Sequence, residues 1–140
     1  MQLTQYTDYS FRALVYLAGV KNGELATVMR ISEHYEVSYN HLVKVIQELR
    51  KHGYVQSVRG RTGGIRLAKA TDEINLYDIM HLMRGSHRST HNDQTIQMDK
   101  LKNHSIVKPI LDEARKAFND VLKAYTLEDL IQRLKLQPCL

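Results

Sequence analysis

The sequence predicts a mainly α chain: a winged helix-turn-helix with a small β-hairpin wing, followed by a long helix near the C-terminal end. Three observations predict it. Leu42, Val45, Ile46 and Leu49 recur at i, i+3, i+4, i+7 between Ser38 and Gly53, which is the core-facing stripe of one helix. Two short strand-like runs then flank Arg59-Gly60-Arg61-Thr62-Gly63-Gly64, the composition of a hairpin turn. From Ser105 onward, Ile106, Ile110, Leu111, Ala114, Ala117, Phe118, Val121, Leu122 and Tyr125 keep a helical period.

The elements follow in chain order. Phe11, Leu14, Val15, Leu17 and Ala18 form a first helical pattern, with Thr7 or Asp8 as its cap and Gly23 as its end. Residues 25–36 are helix-compatible, and Val37-Ser38 breaks that pattern. Ser38 suits the N-cap of the next helix, and Gly53 suits its C-terminal stop. After the hairpin, Thr71 or Asp72 begins a turn. Leu76, Ile79, Met80 and Met83 form another apolar stripe, which Gly85 closes. Residues 86–104 are polar and read as a loop, with a short helical turn near 96–102. Pro109 falls in the first turns of the long helix, where proline is tolerated. Thr126 caps a final helix with Glu128 and Asp129 in its first turn. The chain thus divides into a winged helix-turn-helix at 1–84, a polar loop at 85–104, and a long helix, read as a dimerisation helix, with a C-terminal helix at 105–140.

Composition excludes several classes. The 140 residues are 43% hydrophobic and 25% charged, an ordinary globular balance. One cysteine, Cys139, allows neither a disulfide framework nor a cysteine-only metal site within one chain. No apolar run is long enough to span a membrane, and the start MQLTQYTDYS lacks the pattern of a secretory signal, so a cytoplasmic location is expected. There is no nucleophile motif, phosphate loop or paired carboxylate set, so the chain is not read as an enzyme.

Charge points to a partner. Residues 1–70 hold ten basic and five acidic side chains, whereas residues 71–140 hold ten of each. The window 38–69 carries seven Lys and Arg residues against Glu48 alone. A basic half joined to a neutral half suggests a polyanion-binding module. A recognition helix offers its N-terminal residues to base edges, here Ser38, Tyr39, Asn40, His41 and Lys44. Asn40 can bond adenine in bidentate fashion, while Ser38 and His41 can reach a base or a phosphate. In the hairpin, Arg59 and Arg61 suit a narrow minor groove, and Gly63 and Gly64 beside Thr62 allow close backbone approach. Arg66 and Lys69 suit phosphates. The bland alternatives are a solvated basic face and a turn that happens to be basic. The long helix has little partner surface in so small a chain, which favours pairing with a second copy over packing on its own domain.

MQLTQYTDYSFRALVYLA, VSYNHLVKVIQELRKHGYVQSVRGRTGGIRLAK and YTLEDLI resemble the IscR/NsrR-type transcription regulators, the Rrf-two family, nearest its NsrR branch. The likeness runs through nearly the whole chain. It implies a homodimeric winged-helix protein that binds a palindromic double-stranded DNA operator, usually as a repressor. Cluster-binding members hold an iron–sulfur cluster on three loop cysteines, with an acid or histidine from a first-helix position completing the set. Here the loop GSHRSTHNDQTIQMDKLKNHSIV has no cysteine. Asp8 matches the carboxylate position, but without thiolates a helix cap is the preferred reading. A conventional cluster is therefore not expected, because such clusters are held by thiolates.

Candidates for sensing are Asp8, the loop histidines His87, His91 and His104, and Cys139. Imidazole suits zinc, copper, nickel or haem iron, so a regulator sensing haem or metal stays an alternative. The plainer reading, solvated histidines and an inert terminal thiol, is preferred because histidine-only spacing is a weak signal. A winged-helix protein-interaction module is a further alternative. The signal could also be a small molecule or a partner protein, or the repressor could be constitutive.

Overall fold

The computed structural model describes residues 3–86 and 106–136. Thr4 starts α1 (Gln5–Ala18), its hydroxyl accepting the Thr7 N–H at 3.2 Å. Neither Thr7 nor Asp8 is the cap. Thr7 is buried in the first turn, its hydroxyl 2.9 Å from that of Thr4. The helix stops at Gly19 rather than Gly23, and Gly23 serves the following turn with φ +86°. Asp8 also lies in the first turn, where its carboxylate meets the Arg12 Nε at 2.8 Å.

The helix-compatible stretch 25–36 contains a shorter helix, α2 (Val28–Tyr35), capped by the Thr27 hydroxyl. Ala26 ahead of it is extended and bridges to Ile65. At the other end of α2, Glu36 takes a left-handed conformation with φ +53°, and the Val37 N–H returns to the Ser32 carbonyl at 3.0 Å. This bonding back to the sixth residue closes the helix and turns the chain sharply into α3 (Tyr39–Lys51). Ser38 caps α3, and Gly53, at φ +77°, follows its end in the conformation that glycine takes at no steric cost.

β1 (Val55–Val58) and β2 (Gly64–Leu67) pair antiparallel, with Val55 opposite Leu67 and Val58 opposite Gly64. Val55 and Ile65 turn into the core, while Gln56 and Arg66 face out as a cross-strand pair. A 3-10 turn (Thr71–Glu73) leads to α4 (Leu76–Ser86), which continues through Gly85 rather than ending there. The long helix α5 (Lys108–Lys123) starts three residues after Ser105, with Val107 as its N-cap and Pro109 in its first two positions. Proline fits there because the first helical N–H groups have no partner within the helix.

α6 (Leu127–Leu136) begins at Thr126, as the cap pattern predicts. The Thr126 N–H donates to Asp129 Oδ2 at 2.8 Å, and the Asp129 N–H returns to the Thr126 hydroxyl at 3.4 Å. The Thr126 N–H, and then the Thr126 hydroxyl donating to the same oxygen at 3.0 Å, hold the Asp129 carboxyl below its usual pKa. The Glu128 carboxyl is likewise lowered, first by the 2.6 Å bond from the Thr71 hydroxyl and then by Gln132.

One core joins these elements. Leu14, Ile31, Leu42, Val45, Leu49, Ile74, Ile79, Met83 and Leu127 are fully buried together. Leu127 brings α6 into the same core as α1 and α3, and the Asn75–Thr126 bridge ties the two strand-like ends beside it. Burial of each such side chain contributes about 1.5–3 kcal/mol. α5 differs, since none of its residues is buried. Among the described residues no helix is long and apolar enough to cross a membrane.

Candidate nucleic-acid interface

The core stripe of α3 fixes which of its residues reach solvent. With Leu42, Val45, Ile46 and Leu49 pointing inward, Tyr39, Asn40, His41, Lys44, Gln47 and Lys51 are exposed. Asn40, Lys44, Gln47 and Lys51 fall at helical spacing along one side. The Ser38 hydroxyl accepts the His41 N–H at 3.4 Å, so this hydroxyl is engaged with its own helix. The first turn of α3 also carries the positive end of the helix dipole, which favours anions.

His41 is positioned by α1. Its ring lies 6.2 Å from that of Tyr6 and 6.5 Å from that of Tyr9, tilted against both. Tyr6 is half-buried against α3, and burial, then the Glu48 carboxylate, pushes its phenol up in pKa. The sequence reading missed these two tyrosines. Their signal is aromatic side chains three apart in the first turns of α1, which identifies a helix face but not its neighbour.

The wing tip presents Arg59, Gly60, Arg61 and Thr62 to solvent. Gly60 has φ +121°, a conformation side chains rarely adopt, and its carbonyl accepts the Gly63 N–H at 3.0 Å. Gly63 and Gly64 are needed for another reason. A Cβ on Gly63 would lie 2.3 Å from the Val58 carbonyl oxygen, and one on Gly64 would lie 2.4 Å from that of Ala26. Both glycines let the hairpin pack on the protein's own backbone. The neighbouring Ile65 exchanges two hydrogen bonds with Ala26, at 3.0 and 2.8 Å, so the wing is stitched to the segment before α2.

Arg66 stands exposed on the outer face of β2. Lys69 lies over the Tyr54 ring at 4.5 Å, a cation–π contact. The Tyr54 phenol is raised in pKa by burial and then by the Asp78 carboxylate. Basic side chains are thus exposed on α3, on the wing and just after β2, and together they form the candidate interface. It can neutralise phosphates and, at the start of α3, read base edges.

The sensing candidates are placed differently. Asp8 is on α1, paired with Arg12. His87, His91, His104, Cys139 and the helical turn near 96–102 lie outside the described residues. Among the described residues no three His, Cys, Asp or Glu side chains stand close enough to hold a metal ion.

A helix-turn-helix whose second helix is flanked by a basic hairpin defines a winged-helix DNA-binding protein. The chain belongs to the Rrf2 family: the family model described as "Iron-dependent Transcriptional regulator" matches residues 3–133. It is 44% identical to the HTH-type transcriptional regulator NsrR of Bacillus licheniformis, over 94% of this chain and 92% of that one. Its identity to the NsrR of Bacillus subtilis is 41%, over 94% and 91%. Among solved structures it is similar to T. potens IscR, with a TM-score of 0.75 and 26% identity over 95% of this chain and 88% of that chain. The protein is accordingly a DNA-binding transcription regulator and not an enzyme.

The family's description raises the question of iron. The donor set does not fit a conventional iron–sulfur cluster, because the chain has one cysteine and such clusters take three or four thiolates. The Asp8 carboxylate, a hard ligand held by Arg12, does not replace them.

Proposed function

We propose that the chain acts in the cytoplasm as a homodimeric repressor of a palindromic operator in double-stranded DNA. Residues 1–84 are the DNA-binding unit, 85–104 the sensor-type segment, and 105–140 the dimerisation and C-terminal helices. The observation that carries the reading is the exposed start of α3, from Ser38 to Lys44, beside a wing tip bearing Arg59 and Arg61. Tyr39, Asn40, His41 and Lys44 face the major groove, with Asn40 the reader of a base. Arg59 and Arg61 enter the adjacent minor groove, Thr62 follows them, and Gly63 and Gly64 set the wing's path. Arg66 contacts phosphate.

The test uses an operator selected from a randomised duplex pool, with a scrambled duplex of equal length beside it. Asn40→Ala is expected to lose about 1–3 kcal/mol on the selected duplex and almost nothing on the scrambled one. Equal losses on both would show that Asn40 does not read a base. A wild-type chain with no salt-dependent affinity for either duplex would favour the protein-interaction reading instead.

We also propose that regulation proceeds without a conventional cluster. Protein purified without oxygen is expected to lack visible absorption bands and stoichiometric iron. Bands accompanied by bound iron or haem would move the sensing role to His87, His91 and His104. A colourless chain that still binds its operator would move it to Cys139 or to a small-molecule site.

A further inference from the structure

A groove of about 540 Å3 runs between the C-terminal half of α3 and β1, lined by Gln47, Arg50, Lys51, Val55, Gln56 and Ser57. Val55 forms its buried floor, and the other five residues are exposed. No carboxylate lines it. The acid on its flank, Glu48, is 3.9 Å from the Lys51 Nζ, the outer limit of an ion pair. Two cations, two amides and a hydroxyl form a donor set matched to phosphate oxygens. None of these five residues reads a base in the function proposed above.

We propose that this groove seats the phosphodiester backbone of one DNA strand. The inference rests on the reading that α3 occupies a major groove and the wing tip the adjacent minor groove. Adjacent grooves of a duplex are separated by one backbone. That backbone must therefore pass between the element in one groove and the element in the other, which here is the space between α3 and β1.

Helix geometry agrees. Arg50 lies ten residues beyond Asn40, or about 15 Å along the axis at 1.5 Å per residue. A major groove is about 12 Å wide, so a helix with Asn40 at base edges carries Arg50 to the wall rather than the floor. Across the sheet, Gln56 is opposite Arg66, so the donor row continues onto β2. The groove supplies affinity and register, and no sequence choice.

The experiment measures the salt dependence of binding to a scrambled 30-base-pair duplex. Arg50→Gln combined with Lys51→Gln is expected to lower the log–log slope by about 1.8, which is about 0.9 per phosphate lost. Affinity is expected to fall by the same factor, about tenfold at moderate salt, on scrambled and selected duplexes alike. Gln56→Ala should weaken both by a smaller common factor without a change in slope. The control is Lys116→Gln together with Lys123→Gln on α5, which removes the same charge elsewhere.

An unchanged slope in the double variant, while the wild type binds steeply, overturns the groove and leaves the functional reading intact. An equal loss in the α5 control assigns the effect to net charge and also overturns it. Absence of salt-dependent DNA binding by the wild type defeats the functional reading itself. Circular dichroism and thermal melts confirm that the variants, all at exposed positions, remain folded.

Discussion

Gly64→Ala is expected to detach the wing and to cost the protein most of its DNA affinity. The added methyl would sit 2.4 Å from the Ala26 carbonyl oxygen and 2.8 Å from the Leu25 Cβ. The oxygen belongs to backbone, so no side-chain rotation relieves the contact, and β2 must move off the segment before α2. That movement breaks the two Ala26–Ile65 hydrogen bonds and disturbs Ile65, which is buried in the core. Overpacking of this kind costs about 1–3 kcal/mol. Melting should fall by several degrees, since each kcal/mol is about 2–8 °C in a domain of this size. The functional loss should exceed the stability loss, because the wing's two arginines depend on its position while the helical core does not. The measurement is a pair: thermal melting, and affinity for a selected operator well below the melting temperature. Native affinity in a folded Gly64→Ala protein would mean that the wing tolerates displacement or does not touch DNA.

The same glycine shows where sequence reading ends. Glycines beside arginines in a turn signal close approach, but a sequence does not say to what. Here the close partner is Ala26, 38 residues earlier, met through a bridge that no local pattern encodes. The start of α1 was ambiguous for a simpler reason. Thr4, Thr7 and Asp8 are all competent caps, and burial of Thr7 against the Thr4 hydroxyl decides among them. By contrast, α3 was legible from end to end. Ser38, the four-residue stripe and Gly53 are local signals that agree, and the core accepts the helix they specify. Basic charge marks the candidate interface for a similar reason, since exposed cations are read directly from the chain. The groove behind α3 was not legible, because Gln56 and Ser57 carry no charge and join Arg50 only after the hairpin folds back.

Ile110→Asp combined with Val121→Asp is expected to turn a dimer into a monomer and to reduce affinity for a two-half-site operator by about 100-fold. The argument starts from the two apolar stripes of α5. Leu111, Phe118 and Leu122 are half-buried toward the rest of the chain. Ile110, Ala114, Ala117 and Val121 form a second stripe with steps of four, three and four residues, the spacing of a helix–helix seam. That second stripe meets nothing among the described residues that buries it: Ile110 is 70% exposed and Val121 is 58% exposed. The two central alanines let another helix approach closely. A second α5 related by a two-fold axis presents the same stripe, and self-complementarity is what a two-fold interface requires. Two winged units would then be held in a fixed relation, able to meet half-sites about 34 Å apart. An aspartate pair placed in the seam would face its own copy across the axis, adding repulsion to the lost burial. Because both positions are exposed in the single chain, the variant should keep its circular dichroism and its affinity for an isolated half-site. Sedimentation at micromolar concentration checks the first outcome, and titration of one-site and two-site duplexes checks the second. A variant that remains dimeric would place the seam elsewhere, and a monomeric wild type would defeat the homodimer. Loss of half-site affinity along with full-site affinity would mean that α5 supports the DNA-binding unit directly rather than by pairing it.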